Sequence, residues 1–207
     1  MMKKRSFMVA GTLGVVLTAL CMNSVSALQQ TDNTPNMLQY SSDFTAAELQ
    51  QYQTQVCNLN SLENLMDIDT NTLSATITFS DYLTFDEAVD YIKQYDLDVE
   101  QMQLRALDEE GTRFTMMSRL DLGYDKTYEI IESQLVENNI NLVGVTSLNA
   151  IIKVDEIQNM QEDERTYLVD TSMNPAVYSD NQDQETTMEF PQPVTWNLEN
   201  LGVLSFE

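Results

Sequence analysis

Regular alternation of apolar and polar residues is concentrated between residues 73 and 169 of the chain. In residues 73–79, Leu, Ala, Ile and Phe alternate with Ser and Thr. A period of two predicts a β-strand with one face in a core and the other in water. Helical and extended patterns then follow one another up to residue 169, so we predict a single α+β domain over residues 70–170.

Two helix starts are marked by capping boxes, in which a Thr side chain and a Glu three residues later bind each other's backbone. These pairs are Thr45 with Glu48 and Thr84 with Glu87. Apolar residues then recur at steps of three and four, which is typical of amphipathic helices. The helices are predicted over residues 45–66, 84–95, 124–137 and 155–162.

The remaining apolar segments predict strands joined by short hairpin loops. Gly111 supplies the positive φ that one such loop needs, and Thr146-Ser147 is predicted to be a tight turn between two further strands. Loops this short cannot form parallel crossovers. We therefore predict the order β-α-β-β-α-β-β-α-β, a ferredoxin-like two-layer α+β sandwich with an antiparallel-rich sheet and helices on one face.

The first 27 residues have the composition of an export signal. A basic start, a mostly apolar run over residues 7–22 and a small-residue site ending at Ala27 predict cleavage before Leu28. Later residues contain no segment apolar enough to span a membrane, so the mature protein is expected to be secreted or to lie in the cell envelope.

Two segments outside the domain are poor in regular patterning. Residues 28–44 are predicted to be a flexible leader, and residues 171–207 an extended or disordered acidic tail. The end of that tail regains apolar residues, Trp196 among them. It either folds back on its own domain as an edge strand or cap, or serves as a docking peptide for another protein.

The net charge of the chain limits the classes of partner that it can bind. All 33 acidic residues but only seven of the ten basic ones follow Ala27, so the mature chain has a net charge of −26. Such a chain repels nucleic acid and anionic lipid, and the expected partner is a protein or an envelope component. The sequence does not indicate the oligomeric state.

Histidine is absent, and glycine and cysteine are scarce. The lack of histidine excludes Ser-His-Asp and Cys-His nucleophiles and His-ligated zinc, and four scattered mature glycines provide no phosphate-binding loop. We expect no cofactor, no metal and no catalytic residue. Cys57, the one mature cysteine, is a small buried apolar residue, a reactive thiol or a link to a second chain.

The segment from about Arg113 to Asp170 resembles the propeptide and inhibitor domains of subtilisin-type proteases. The resemblance rests on residues 143–145, 148–152, the short helix with Ile157 and Met160, and residues 162–170. It implies a ferredoxin-like fold whose sheet covers a protease. It also implies that the segment after the last strand enters the active site: Asp170, Thr171, Ser172, Met173 and Asn174.

Two classes of function follow. The first is an exported non-catalytic domain that binds a protein or envelope partner. Its most specific form is a propeptide-like protease inhibitor or folding helper. The candidate contact residues are the segment 170–174 and Trp196. The second is a small secreted hydrolase that works with paired carboxylates. Its candidate acids are Asp81, Asp86, Glu87, Asp108, Glu109 and Asp121.

Overall fold

A computed structural model describes residues 43–66, 68–177 and 190–205. The predicted export signal, its cleavage site at Ala27 and Leu28, and nearly all of the predicted leader lie outside the described residues. Within the described ranges, no helix is both long and apolar enough to cross a membrane.

The described residues form six α-helices, five β-strands and two short 3₁₀ turns. The helices are α1 (Ala46–Leu59), α2 (Leu62–Met66), α3 (Phe85–Gln94), α4 (Tyr124–Glu137), α5 (Ile157–Glu162) and α6 (Thr195–Asn200). The strands are β1 (Thr72–Leu83), β2 (Asp98–Asp108), β3 (Arg113–Ser118), β4 (Ile140–Lys153) and β5 (Thr166–Asp170). The 3₁₀ turns are Val154–Glu156 and Pro175–Val177.

The five strands form one sheet in the order β3-β2-β4-β1-β5, and every neighbouring pair is antiparallel. The predicted α+β class and antiparallel sheet are confirmed, and the architecture is consistent with a two-layer sandwich. All three crossovers that contain a helix, through α3, α4 and α5, skip one strand that lies between the strands they join. This order does not confirm the ferredoxin-like arrangement.

Both predicted capping boxes are present. Thr45 and Glu48 close the start of α1, and Thr84 and Glu87 close the start of α3. The helix predicted over residues 45–66 is interrupted, because α1 ends at Leu59, with Asn60 as its C-cap, and α2 starts at Leu62. Local side-chain chemistry thus determines where α1 and α3 begin, as the sequence predicted.

Replacing Thr84 by Ala is expected to lower the free energy of unfolding by about 1 kcal/mol, the usual contribution of an N-cap side chain. The Thr84 hydroxyl accepts a hydrogen bond from the Glu87 N–H at 3.2 Å, and Glu87 Oε2 accepts one from the Thr84 N–H at 2.8 Å. Urea unfolding at pH 7 measures the loss. Thr84→Ser keeps the oxygen and is expected to match the wild type, so equal stability of the Ala and Ser variants would contradict the role of the cap.

The tight turn predicted at Thr146-Ser147 is wrong, because residues 140–153 form one continuous strand. Both neighbouring strands pair with Val145 and with Ser147 but skip Thr146, which makes Thr146 a β-bulge. A bulge shifts the alternation by one residue, so Val145 and Leu148 both face the core. The sequence shows this one-residue shift in the alternation of apolar residues, but a tight turn would produce the same shift. The domain therefore has one strand fewer than predicted.

One face of the sheet carries the main apolar core. It is covered by side chains of α3, α4 and α5. The strand residues of this core are Leu73, Ala75, Ile77, Phe79 and Leu83 on β1, Met102, Leu104 and Ala106 on β2, Val145, Leu148, Ala150 and Ile152 on β4, and Val169 on β5.

The opposite face of the sheet is also covered, contrary to the prediction that it lies in water and that all helices share one face. Thr76 and Thr78 on β1 are 0 % and 1 % exposed. Helix α1 and residues 190–205, which we name the C-terminal segment, lie against this face and form a second apolar cluster with β5. Its buried members are Leu49, Tyr52, Val56, Tyr167, Leu168, Val194, Leu198 and Leu204.

The predicted extended tail differs from the structure in residues 190–205. These residues include helix α6 and several fully buried side chains. The segment folds back on its own domain as a cap, the first of the two alternatives, but it adds no strand to the sheet. Cys57, on α1, is partly buried against the same apolar cluster.

Candidate binding site

The face of the sheet under the C-terminal segment is lined by polar side chains, and we name it the polar face. Alternation along β2 places Arg105 opposite the core residues Leu104 and Ala106. Cross-strand register then assigns the remaining members to the same face. They are Thr76 and Thr78 on β1, Gln103 on β2, Arg113 and Thr115 on β3, and Ser147 and Asn149 on β4.

At the β2–β3 end of the polar face, two arginines bind one carboxylate of the C-terminal segment. Arg105 Nε donates to Glu199 Oε1 at 2.7 Å, and Arg113 Nη1 donates to Glu199 Oε2 at 3.1 Å. The Glu199 side chain is 0 % exposed, and those of Arg105 and Arg113 are 2 % and 33 % exposed. Charge-assisted hydrogen bonds of this kind are the strong ones in proteins.

Aromatic and hydroxyl groups complete the surroundings of Glu199. The Tyr82 hydroxyl donates to Glu199 Oε1 at 3.0 Å, and Thr115 Oγ1 accepts from the second guanidinium nitrogen of Arg105. The ring of Trp196 lies 4.1 Å from the Arg105 guanidinium carbon and 4.8 Å from that of Arg113. Both distances fit cation–π contacts.

The electrostatics of the site favour a bound anion. Two guanidinium groups face a single carboxylate, and they belong to only seven basic residues after Ala27. Burial, with the neighbouring Glu199 charge, raises the pKa of the Tyr82 phenol, so this hydroxyl stays protonated and donates. The site is therefore a cationic pocket with an additional neutral donor, filled by the chain's own Glu199.

Two hydroxyls at the same interface have no hydrogen-bond partner among the described residues. They are Ser147 Oγ, on the polar face, and Thr195 Oγ1, on α6. Ser147 is 0 % exposed and Thr195 is 2 % exposed. Buried hydroxyls usually find a partner, so the interface between the sheet and the C-terminal segment has unused hydrogen-bonding capacity.

Comparisons with known protein families, curated proteins and solved structures give no match. The residues that the structure describes bring no three His, Cys, Asp or Glu side chains together in an arrangement able to hold a metal ion.

The candidate contacts at the end of β5 are mostly buried by the chain itself. Asp170, Thr171 and Ser172 are 2 %, 0 % and 5 % exposed, whereas Met173 and Asn174 are half-buried. Thr171 Oγ1 donates to Asn60 Oδ1 on the loop after α1 at 2.5 Å. Trp196, the remaining predicted contact, is half-buried over the two arginines and lies in the binding site described above.

Asp170 is a buried carboxyl held by neutral donors. The Tyr52 hydroxyl of α1 donates to Oδ2, and the Ser172 N–H donates to Oδ1 at 2.9 Å. Burial raises the pKa of Asp170 above its usual value, although these hydrogen bonds act in the opposite direction. The group therefore binds protons more readily in the folded chain than in the unfolded one.

Replacing Asp170 by Asn is expected to stabilise the fold, and the gain is expected to grow with pH. Because the folded pKa is raised, the wild type loses stability as pH rises from the ordinary Asp value, near 4, through the folded pKa. Asn cannot ionise, and it retains both contacts if the Tyr52 hydroxyl accepts instead of donating. Urea unfolding of both proteins at pH 4 and pH 7 measures the difference. A gain of equal size at both values would contradict an origin in the charge of Asp170.

The acids proposed for a hydrolase serve local structure or lie on the surface. Glu87 caps α3, and Asp108 accepts from two N–H groups of its hairpin loop. These backbone hydrogen bonds lower the pKa of both carboxyls, whereas a general acid needs a raised value. Asp81, Asp86, Glu109 and Asp121 are exposed.

The residues that build the site were not predicted as a group. Glu199 was predicted to lie in a tail, and neither Arg105 nor Arg113 was predicted to be a site residue. The sequence contained one signal for an anion-binding site, because Arg105 and Arg113 share one face of a hairpin in a strongly acidic chain. Their common partner lies 86 or more positions further on, and no local pattern indicates it.

Proposed function

We propose that this protein is an exported, non-catalytic domain that binds a protein or a component of the cell envelope. The composition of the binding site supports this function. Arginine, tryptophan and tyrosine are the residues most often responsible for the affinity of protein interfaces. Here Arg105, Arg113 and Tyr82 converge on the carboxylate of Glu199, and Trp196, on the same segment as Glu199, packs against both guanidinium groups.

The most specific form of this function is a propeptide-like inhibitor or folding helper of a secreted protease. The α+β class and antiparallel sheet are compatible with it, while the ferredoxin-like relationship stays a prediction. Insertion of residues 170–174 into an active site requires more than binding. Because Asp170 and Thr171 bond to Tyr52 and Asn60, this segment has to leave its contacts with α1 and the loop that follows.

Incubation of the mature protein with secreted subtilisin-type proteases tests that form. We expect loss of peptidase activity with increasing amounts of intact domain, or faster refolding of the denatured protease. Absence of inhibition, binding and assisted refolding across such enzymes would remove the propeptide-like form. Turnover of any substrate by the purified mature protein would overturn the non-catalytic function itself.

A further inference from the structure

We propose that the polar face is a recognition site for an acidic peptide segment of the partner, and that the chain's own C-terminal segment competes for it. The inference rests on the proposed binding function and names its ligand class. The ligand is a short helical segment with an aromatic residue followed by a glutamate three positions later. Trp196 and Glu199 supply this pair in the structure.

The charges in the site are the first argument. Burying an ion pair costs desolvation energy that the attraction between the charges often fails to offset, so such pairs are weak devices for stability. Two arginines nevertheless converge on Glu199 in a chain with a net charge of −23. A stabilising cap would need only apolar contacts, which Leu198 and Val194 already provide. The two guanidinium groups add selectivity, because they make the site specific for a carboxylate.

The form of the bound segment is the second argument. Residues three apart lie on the same side of a helix, so Trp196 and Glu199 approach both guanidiniums together. Upstream, the Pro191 carbonyl accepts from the Thr76 hydroxyl at 2.6 Å. The polar face thus holds a short irregular entry followed by a six-residue helix, which is the size of a peptide ligand.

The imperfect fit of the bound segment is the third argument. The Ser147 hydroxyl of the polar face has no partner among the described residues, and neither has the Thr195 hydroxyl of the bound segment itself. A buried unsatisfied group costs free energy, and a ligand with a polar atom opposite Ser147 would recover that cost. Beside Tyr82, a cleft of about 640 Å³ lies between the sheet residues Leu107 and Asn141 and Val203 of the bound segment, so a longer ligand that replaces the segment has room there.

A fluorescence titration of the intact mature protein tests the competition, since Trp196 is the only tryptophan in the chain. The probe is a synthetic peptide of residues 190–205 in which Trp196 is replaced by Phe, so that only the protein emits. Displacement of the protein's own segment is expected to shift Trp196 emission to the red and to increase its quenching by acrylamide. The same peptide with Glu199→Gln is expected to act at least about tenfold more weakly.

A second measurement uses full-length Glu199→Gln protein, whose own segment lacks the carboxylate but whose arginines remain. It is expected to bind the Glu-containing peptide, fluorescently labelled, at least about tenfold more tightly than the wild type does. Glu63→Gln is the matched control, because Glu63 is exposed on α2 outside the site and makes the same charge change. Adding Arg113→Gln to the Glu199→Gln protein is expected to remove the gain, whereas adding Arg119→Gln, at an arginine with a 70 % exposed side chain, is not.

Three results would overturn the inference. One is Trp196 fluorescence that stays unchanged at millimolar peptide. This measurement uses the wild-type protein, so it does not depend on the folding of a variant. Another is equal action of the Glu and Gln peptides. The third is a concentration-dependent dimer, detected by light scattering, that the peptide dissociates. In that case the polar face would bind the C-terminal segment of a second copy of the chain instead of a partner's peptide. None of these results decides whether the domain binds a protease, so failure of the ligand assignment is distinguishable from failure of the function.

Discussion

Arg105→Met is expected to lower the free energy of unfolding by about 3–5 kcal/mol, the usual cost of removing one partner from a buried ion pair. The variant leaves Glu199, whose side chain is 0 % exposed, with Arg113 and Tyr82 as its remaining partners. It also removes the contact between the guanidinium and the ring of Trp196. Urea unfolding of the mature protein, followed by circular dichroism, measures the change.

A double substitution separates the buried charge from the lost packing. Arg105→Met combined with Glu199→Leu removes the buried carboxylate that the single variant leaves with Arg113 as its one charged partner, so the double variant is expected to be more stable than Arg105→Met alone. Arg119→Met serves as the control for loss of an arginine, because its contact with Glu100 is 3.7 Å long and exposed. Its expected cost is below about 1 kcal/mol. Strictly additive effects of the two single substitutions would contradict coupling between Arg105 and Glu199.

The sequence predicted the elements whose signals are local. The two residues of each capping box lie three positions apart in the chain, and Gly111 takes the positive φ value predicted for its hairpin loop. Such features depend on backbone geometry within one turn, so distant residues change them little. The extra turn predicted at Thr146-Ser147 failed because a bulge becomes visible only when both neighbouring strands are in place.

The binding site depends on contacts that no local pattern records. Thr76 alternates with apolar neighbours in the same way whether water or another segment covers it, so the sequence predicted an exposed face. Only docking of the C-terminal segment makes that face buried. The apolar residues of the segment made docking on its own domain one of two alternatives, but the position of Glu199 follows from tertiary packing alone.

Gly144→Ala is expected to destabilise the fold by about 1–3 kcal/mol, as overpacking of a close contact usually does. Gly144 lies on β4 near the bulge at Thr146, and a Cβ there would be 2.7 Å from the Leu83 carbonyl oxygen and 2.9 Å from the Tyr82 Cβ. The Leu83 oxygen is backbone at the end of β1, directly before the Thr84 cap of α3, so it has little freedom to move. The free energy of unfolding in urea measures the cost.

Gly111 serves as the control that separates steric overpacking from the backbone conformation of glycine. Its φ is +80°, and a Cβ built there meets nothing within 4 Å, so its requirement is conformational and not steric. Asn tolerates the left-handed region, and Gly111→Asn is therefore expected to cost less than Gly111→Ala. At Gly144 the order is reversed, because Asn brings the same Cβ and more atoms into the contact with β1. If Gly144→Asn proved as stable as the wild type, the close approach of β1 and β4 could not be the reason for glycine at this position. Since Tyr82 is also a donor to Glu199, a shift of this strand end is expected to weaken the binding site together with the sheet.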